Sequence, residues 1–186
     1  MEPPEVSLRL WRPQDAPRLF DLLRRPEVTR WFGEAARTPL TDVEQARQRI
    51  EQWALAHADP LGTWAVVAPD RSEPVGSVLL FPAPNALHGE VEVGWYLHPD
   101  AEGHGYATAA ARRAVRLAFA AGHRQVWALT HPENTRSRAT ATRAGMRDLG
   151  IVDGLWHDGV SRLFLAEHPG GPVWDADEPG DLSRSR

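Results

Sequence analysis

The sequence predicts an α/β fold, a mixed sheet with helices on both faces. Three observations carry this. Residues 90–97, "EVEVGWYL", alternate polar and apolar over the whole segment, as a half-buried strand does. The segment after it puts Ala107, Ala110, Ala111, Ala114, Val115 and Ala118 on one side at spacings of three and four, with Arg112, Arg113 and Arg116 opposite, the pattern of an amphipathic helix. The segments follow in the order β, two or three helices, βββ, α, β, α, ββ, which interleaves the two kinds of element.

Each element has its own signal. "SLRLW", Ser7 to Trp11, alternates and reads as a short strand. Pro13 suits a first helical turn, and Leu19, Leu22 and Leu23 share a face of "DAPRLFDLLRR". "EVTRWFG" predicts one more helical turn, closed by Gly33. In "TPLTDVEQARQRIEQWALAH", Thr41 as N-cap and Glu44 have capping-box spacing, and Val43, Ala46, Ile50, Trp53 and Leu55 form the apolar stripe. "TWAVVA" and "VGSVLLF" flank the turn "PDRSEP" as a hairpin, and "PAPNALHG" is a loop. Pro99 and Asp100 end the 90–97 strand. "QVWALT" is a strand, and "ENTRSRATATRAG" is a helix with Asn134 near its start and Gly145 at its C′ position. "MRDLGIV" and "SRLFLAE" are the last strands, around the turn "DGLWHDG". From His168 onward Pro, Gly, Asp and Ser dominate, so the expected organisation is one globular domain over 1–167 and a disordered or loosely docked tail over 168–186.

Composition narrows the function. The chain has 186 residues, 42% hydrophobic and 25% charged, enough for one domain with a sizeable core. It has no cysteine, which excludes disulfides, thiolate metal sites and cysteine nucleophiles. All 21 Lys-or-Arg positions are arginine, and the net charge is −4, which argues against nucleic acid as a partner. No apolar window is long enough for a membrane span, and "MEPPEVSLRLW" lacks the features of a secretory signal, so neither a membrane partner nor export is expected and the cytoplasm is the expected compartment. The eight histidines show no metal-ligand spacing, so no metal site is expected.

"HPDAEGHGYATAAARR" carries the chemistry. Gly103 and Gly105 sit between a strand and a helix, where unpaired backbone N–H groups and the helix dipole favour a phosphate. A tight turn alone would also use two glycines. Position 108 is Thr, which breaks a dinucleotide-binding GxGxxG, and the absence of lysine excludes a Walker A loop.

"VEVGWYLHPDAEGHGYATAAARRAVRLAF" together with "HPENTRSRATATRAGMRD" resembles the GCN5-related N-acetyltransferase (GNAT) family. The likeness is strongest to the branch that acetylates ribosomal-protein N-termini, whose opening resembles "LRLWRPQDAPRLFDLLRRPEVTRWF". The family's pyrophosphate loop falls on Glu102 to Ala107, and its second motif falls on Asn134, Ser137 and Ala144–Met146. The resemblance covers about residues 6 to 167. It implies a mostly antiparallel central sheet with a splayed strand pair, acetyl-CoA as cosubstrate, and a primary amine, small or peptidic, as acceptor. It implies direct transfer in a ternary complex. A non-catalytic CoA-binding sensor or partner-binding module on the same fold is the alternative, and dimers in the family make a homodimer an arrangement to test.

Residue by residue, the resemblance implies that Trp95 and Leu97 offer backbone groups to the cofactor arm, with the Leu97 N–H polarising the thioester carbonyl. The amides of Gly103, His104, Gly105, Tyr106, Ala107 and Thr108 would cradle the pyrophosphate, beside Asn134 and Ser137. Two departures stand out. Glu102 replaces the usual Gln or Arg, and Ala141 stands where many relatives carry a tyrosine acid. Ser137 is the implied substitute for that acid, or else only a polar first-turn residue. Glu92, on one strand face with Glu90, Gly94 and Tyr96, is the expected base for the amine, or else the partner of an arginine. Trp31, Phe32, Glu92 and Trp156 are expected to line the acceptor cleft, although Trp31 also fits the core with Trp53, Trp64 and Trp127. The net negative charge leans toward a cationic acceptor.

Overall fold

A computed structural model describes residues 4–33, 38–83, 90–155 and 159–170. The expected tail from 171 on, and Trp156, lie outside the described residues. The sheet has seven strands: β1 (Ser7–Leu10), β2 (Gly62–Val67), β3 (Gly76–Pro82), β4 (Val91–Leu97), β5 (Gln125–Thr130), β6 (Arg147–Asp153) and β7 (Val160–Glu167). Their spatial order is β1-β2-β3-β4-β5-β7-β6. Every neighbouring pair is antiparallel except β4 and β5.

The helices are α1 (Ala16–Leu23), α2 (Pro26–Thr29), α3 (Val43–Ala56), α4 (Tyr106–Ala120) and α5 (Thr135–Ala144). The helix at Pro26 is a single turn capped at Arg30, so Trp31 and Phe32 follow it and Gly33 does not close it. The N-cap of α3 is Asp42, whose carboxylate accepts the Gln45 N–H at 2.9 Å, rather than Thr41. An ionised carboxylate complements the helix dipole better than a hydroxyl one residue earlier.

Two cores separate along the two faces of the sheet. On one face, Val66, Val78, Leu80, Val91 and Val93 meet the alanine stripe of α4, where Ala110, Ala114 and Ala118 are fully buried. On the other, Leu19, Leu22 and Leu23 of α1 and Ala46 and Ile50 of α3 pack over Trp11 and Ala65, with Tyr96 at the edge. Trp127 is core, with Leu163 and Leu165.

A polar tie joins the end of β4 to α1. His98 is buried, and its Nδ1 accepts the Asp100 N–H at 3.2 Å, which leaves Nε2 to donate to Asp21 at 2.8 Å. Arg18 holds both oxygens of Asp100 at 2.8 and 3.0 Å and the Pro74 carbonyl at 2.9 Å. The His98 hydrogen bond, against the opposing effect of burial and helped by Arg24 and Arg25, holds the Asp21 carboxyl far below the usual carboxylate range. A depressed carboxylate stabilises the fold above its unfolded pKa, and that contribution is lost as pH falls. Asp21→Asn therefore lowers the melting temperature at neutral pH by about 4 °C, a shift of ~1 kcal/mol or slightly more for this size. The gap to wild type narrows below about pH 4, as thermal scans across pH would show; a gap constant down to strong acid contradicts it.

Candidate active site

The chemistry-bearing residues meet where β4 and β5 part. The parallel pairing runs through Val91–Val126 and Glu92–Trp127 and then stops, although both strands continue. On its other edge β4 pairs with β3 along its whole length. That ladder is bracketed by His98 N–H to the Val75 carbonyl at 2.9 Å and Ala83 N–H to the Glu90 carbonyl at 2.8 Å. Hydrogen-bonded pairs alternate in an antiparallel ladder. Glu92, Gly94 and Tyr96 therefore turn their backbone groups to β3, while Trp95 and Leu97 turn theirs into the gap.

Gly76 makes this edge possible. A Cβ there would fall on the Tyr96 carbonyl oxygen and within 2.7 Å of Leu97 Cα. Only glycine lets β3 approach β4 this closely at the end of the ladder.

Past β4 the chain makes a 3₁₀ turn over Pro99–Ala101 and enters the glycine loop. Gly103 and Gly105 have φ of +82° and +81°, left-handed values that favour glycine. Gly105 is the N-cap of α4, and no side chain caps that end. The first amides of α4 are thus orphan donors at the positive end of the dipole, an anion site built from backbone alone. Glu102 does not spoil it, because its carboxylate is paired with Arg136 from the first turn of α5. His104 stacks on Tyr106, with ring centroids 5.5 Å apart, and bonds the Glu102 carbonyl at 2.8 Å.

One continuous cleft contains nearly all the sequence-predicted residues. Glu92, Trp95, Leu97, the 103–108 loop, Asn134 and Ser137 line it, with Trp31 and Phe32 at its other end. Tyr106 enters by its backbone, since its ring is buried and its hydroxyl donates to Asp70 at 2.7–2.8 Å. Asn134 is occupied as the N-cap of α5, its Oδ1 accepting the Ser137 N–H at 3.1 Å. The Ser137 hydroxyl lines the cleft and makes no side-chain hydrogen bond among the described residues. Trp31 is half-buried against His131, with centroids 5.4 Å apart, and Arg30 stacks on it at 4.5 Å. It belongs to the cleft rather than to the core.

Both tyrosines are weaker acids than a free phenol. Burial pushes the Tyr96 phenol up to about 12. The hydrogen bond to Asp70 raises Tyr106, on the far side of the loop from the gap. Among the described residues no cluster of metal ligands exists. Sequence reasoning missed Arg49, Thr63, Thr130 and His131, which also line the cleft. Only Arg49 had a signal: it interrupts the apolar stripe of α3 between Ala46, Ile50 and Trp53.

Comparison with known proteins agrees with this geometry. The profile of the acetyltransferase (GNAT) domain family matches residues 5–147. The chain therefore belongs to the GNAT family, and it is an acetyl-CoA-dependent N-acetyltransferase. It is 25% identical over 154 residues to the uncharacterized N-acetyltransferase YoaA of Bacillus subtilis (strain 168), covering 82% of this chain and 85% of that protein. The ribosomal-protein-S5-alanine acetyltransferase of Vibrio fischeri superposes with a TM-score of 0.70 at 20% identity, over 92% of this chain and 98% of that one. Mycobacterium smegmatis RimJ, solved with a CoA disulfide, gives a TM-score of 0.70 at 20% identity, over 87% and 81%.

The residues present fit that cosubstrate. The uncapped α4 terminus suits a diphosphate, and the open edge at Trp95 and Leu97 suits the amides of a pantetheine arm. Gly76→Ala forces β4 to shift at Leu97, costing about 1–3 kcal/mol as an overpacked site does. We expect the melting temperature to fall and the KM for acetyl-CoA to rise together. A variant that loses stability with an unchanged KM would separate Gly76 from the cofactor edge.

Proposed function

We propose that Glu92 accepts the proton of a primary-amine acceptor, that the Leu97 N–H steadies the oxyanion, and that Ser137 protonates the departing sulfur. Bound in the cleft, acetyl-CoA supplies an acetyl group activated as a thioester. The amine nitrogen forms the new C–N bond as the C–S bond breaks. An acceptor entering as an ammonium gives up two protons: one leaves through Glu92, directly or through water, and the second returns through water to Ser137, whose hydroxyl has protonated the thiolate. The observation that carries this reading is the parting of β4 from β5 immediately after Glu92. It leaves a carboxylate, a run of open backbone donors and a helix N-terminus along one cleft.

Elimination supports Ser137. Ala141 replaces the usual tyrosine, the chain has no cysteine, Tyr106 is held by Asp70, and burial makes the Tyr96 phenol, on the acceptor side of β4, a weak acid. Asn134 keeps Ser137 in place by capping α5. His131 also lines the cleft, but its Nδ1 accepts the Glu133 N–H at 3.2 Å, which engages that lone pair. The acceptor is a small-molecule or peptide amine entering between α2, α3 and the outer end of β4, past Trp31 and Phe32. Relatives whose names point to ribosomal-protein N-termini support a peptide amine as one member of that class.

Two variants test the roles. Glu92→Gln lowers kcat/KM for the acceptor by about 10²–10⁴-fold, the usual contribution of a positioned base, with the KM for acetyl-CoA kept. Initial rates by free-thiol detection measure it, and a loss under about threefold removes Glu92 from the chemistry. Ser137→Ala lowers kcat by about 10²-fold without raising the KM for acetyl-CoA. A rise in KM with unchanged kcat would make it a binding residue only. Acetyl-CoA that stabilises the protein while no amine is ever acetylated would leave the sensor reading standing.

A further inference from the structure

The acceptor end of the cleft carries two arginines, Arg30 and Arg49, beside Glu27 and Glu92, in a protein whose net charge is −4. Arg49 lies on the inward stripe of α3, is half-buried, and lines the cleft. Arg49 and Tyr96 line the same cleft, on the α3 side of β4. Among the described residues no carboxylate stands at salt-bridge distance from it, whereas Arg9, Arg18, Arg47 and Arg162 each hold one. A guanidinium that lines a cleft with no carboxylate in reach among the described residues is available to an anionic ligand. Arg30, the second cation at this end, is stacked on Trp31.

A buried polar group points the same way. Thr63 on β2 is 2% exposed and lines the same cleft, and among the described residues its hydroxyl has no hydrogen-bond partner. It stands in register with Leu79, which stands in register with Gly94, so the three form one cross-strand row under α3. At Gly94 a Cβ would come within 2.5 Å of the Leu79 side chain, so glycine there lets Leu79 pack against the β4 backbone between Glu92 and Tyr96. Phe32 and Tyr96, with ring centroids 4.9 Å apart, wall this space. This end of the cleft thus has a carboxylate on β4 and, among the described residues, a guanidinium with no carboxylate at salt-bridge distance and a hydroxyl with no hydrogen-bond partner.

We propose that the acceptor is an amine carrying an anionic group, a carboxylate or a phosphate, which Arg49 and Thr63 hold while the amine lies toward Glu92. A planar guanidinium fork matches either oxyanion. This rests on the N-acetyltransferase assignment and sharpens its acceptor class. It also reverses the expectation of a cationic acceptor, because overall charge does not report the charge of one cleft wall.

The test compares matched acceptors in wild type, Arg49→Gln, Arg49→Lys and Thr63→Val. The pairs are phenylalanine with phenylalaninamide and O-phosphoethanolamine with ethanolamine, and spermidine is the cationic control. The charged member of at least one pair exceeds its neutral partner in kcat/KM by about tenfold or more, and Arg49→Gln reduces that ratio below about threefold. Arg49→Lys restores part of it, Thr63→Val weakens it, and the KM for acetyl-CoA stays unchanged throughout. The amide of an amino acid is the less protonated amine near neutrality, so reactivity alone works against this result. The pair that responds tells carboxylate from phosphate. Ratios near one in wild type, spermidine as the best acceptor, or Arg49→Gln slowing both members of a pair equally overturns the proposal. If nothing turns over, calorimetric titration of the same pairs into the CoA-loaded protein decides. Binding of a charged member alone, lost in Arg49→Gln, upholds the anion site while sinking the transfer reading, and no binding of either charged member overturns the site.

Discussion

The structure depends on one departure from regular pairing, the loss of contact between β4 and β5 beyond Glu92 and Trp127. Unpaired backbone groups inside a sheet are unfavourable unless something bonds them. The surrounding packing holds the gap open. Val91 and Val93 are locked against α4, whose small alanines let the helix sit close to the sheet. β3 stays paired to the end of the ladder because Gly76 has no side chain. Past that end, His98, Asp100, Asp21 and Arg18 tie the strand to α1. A strand clamped on one edge and free on the other is a rigid template for an extended ligand, in the way an edge strand pairs with an added one.

On the proposed roles, phosphate recognition uses no lysine, since the chain contains none. Orphan amides at the α4 terminus and two left-handed glycines replace it. The loop's one electrostatic anomaly, Glu102, is offset by Arg136 across the loop. Both members of that pair are substantially exposed, so the pair contributes little to stability, and its effect is to keep a negative charge from standing alone beside a diphosphate.

The strand alternation of 90–97, the alanine stripe of α4 and the caps at Asn134 and Gly145 were legible because each is set by neighbours within one or two turns. The loop and its second motif were legible through resemblance. Elsewhere the governing partner is distant in sequence. β7 lies between β5 and β6, an order that no local signal encodes. Glu102 looked unfavourable because Arg136 is 34 residues away. Trp31 fitted the core as well as the cleft until α2 ended at Thr29 and left it outside the helix. Thr63 reads as an ordinary strand threonine, and its unpaired hydroxyl arises only where α3 crosses β2.

One strand, β4, separates the two halves of the chemistry by geometry. Side chains leave a strand perpendicular to the sheet, and backbone groups leave it within the plane. Glu92, Gly94 and Tyr96 therefore face the acceptor side under α3, while the amides of Trp95 and Leu97 face the gap beside α4. On the proposed roles, acceptor and cosubstrate reach the same few residues from different directions and do not compete for space. The two reacting groups can then be held side by side, a gain in orientation that removes the need for a covalent intermediate on the protein. A chain without cysteine, whose Tyr106 is held by Asp70 and whose Tyr96 phenol is buried, gains most from such direct transfer.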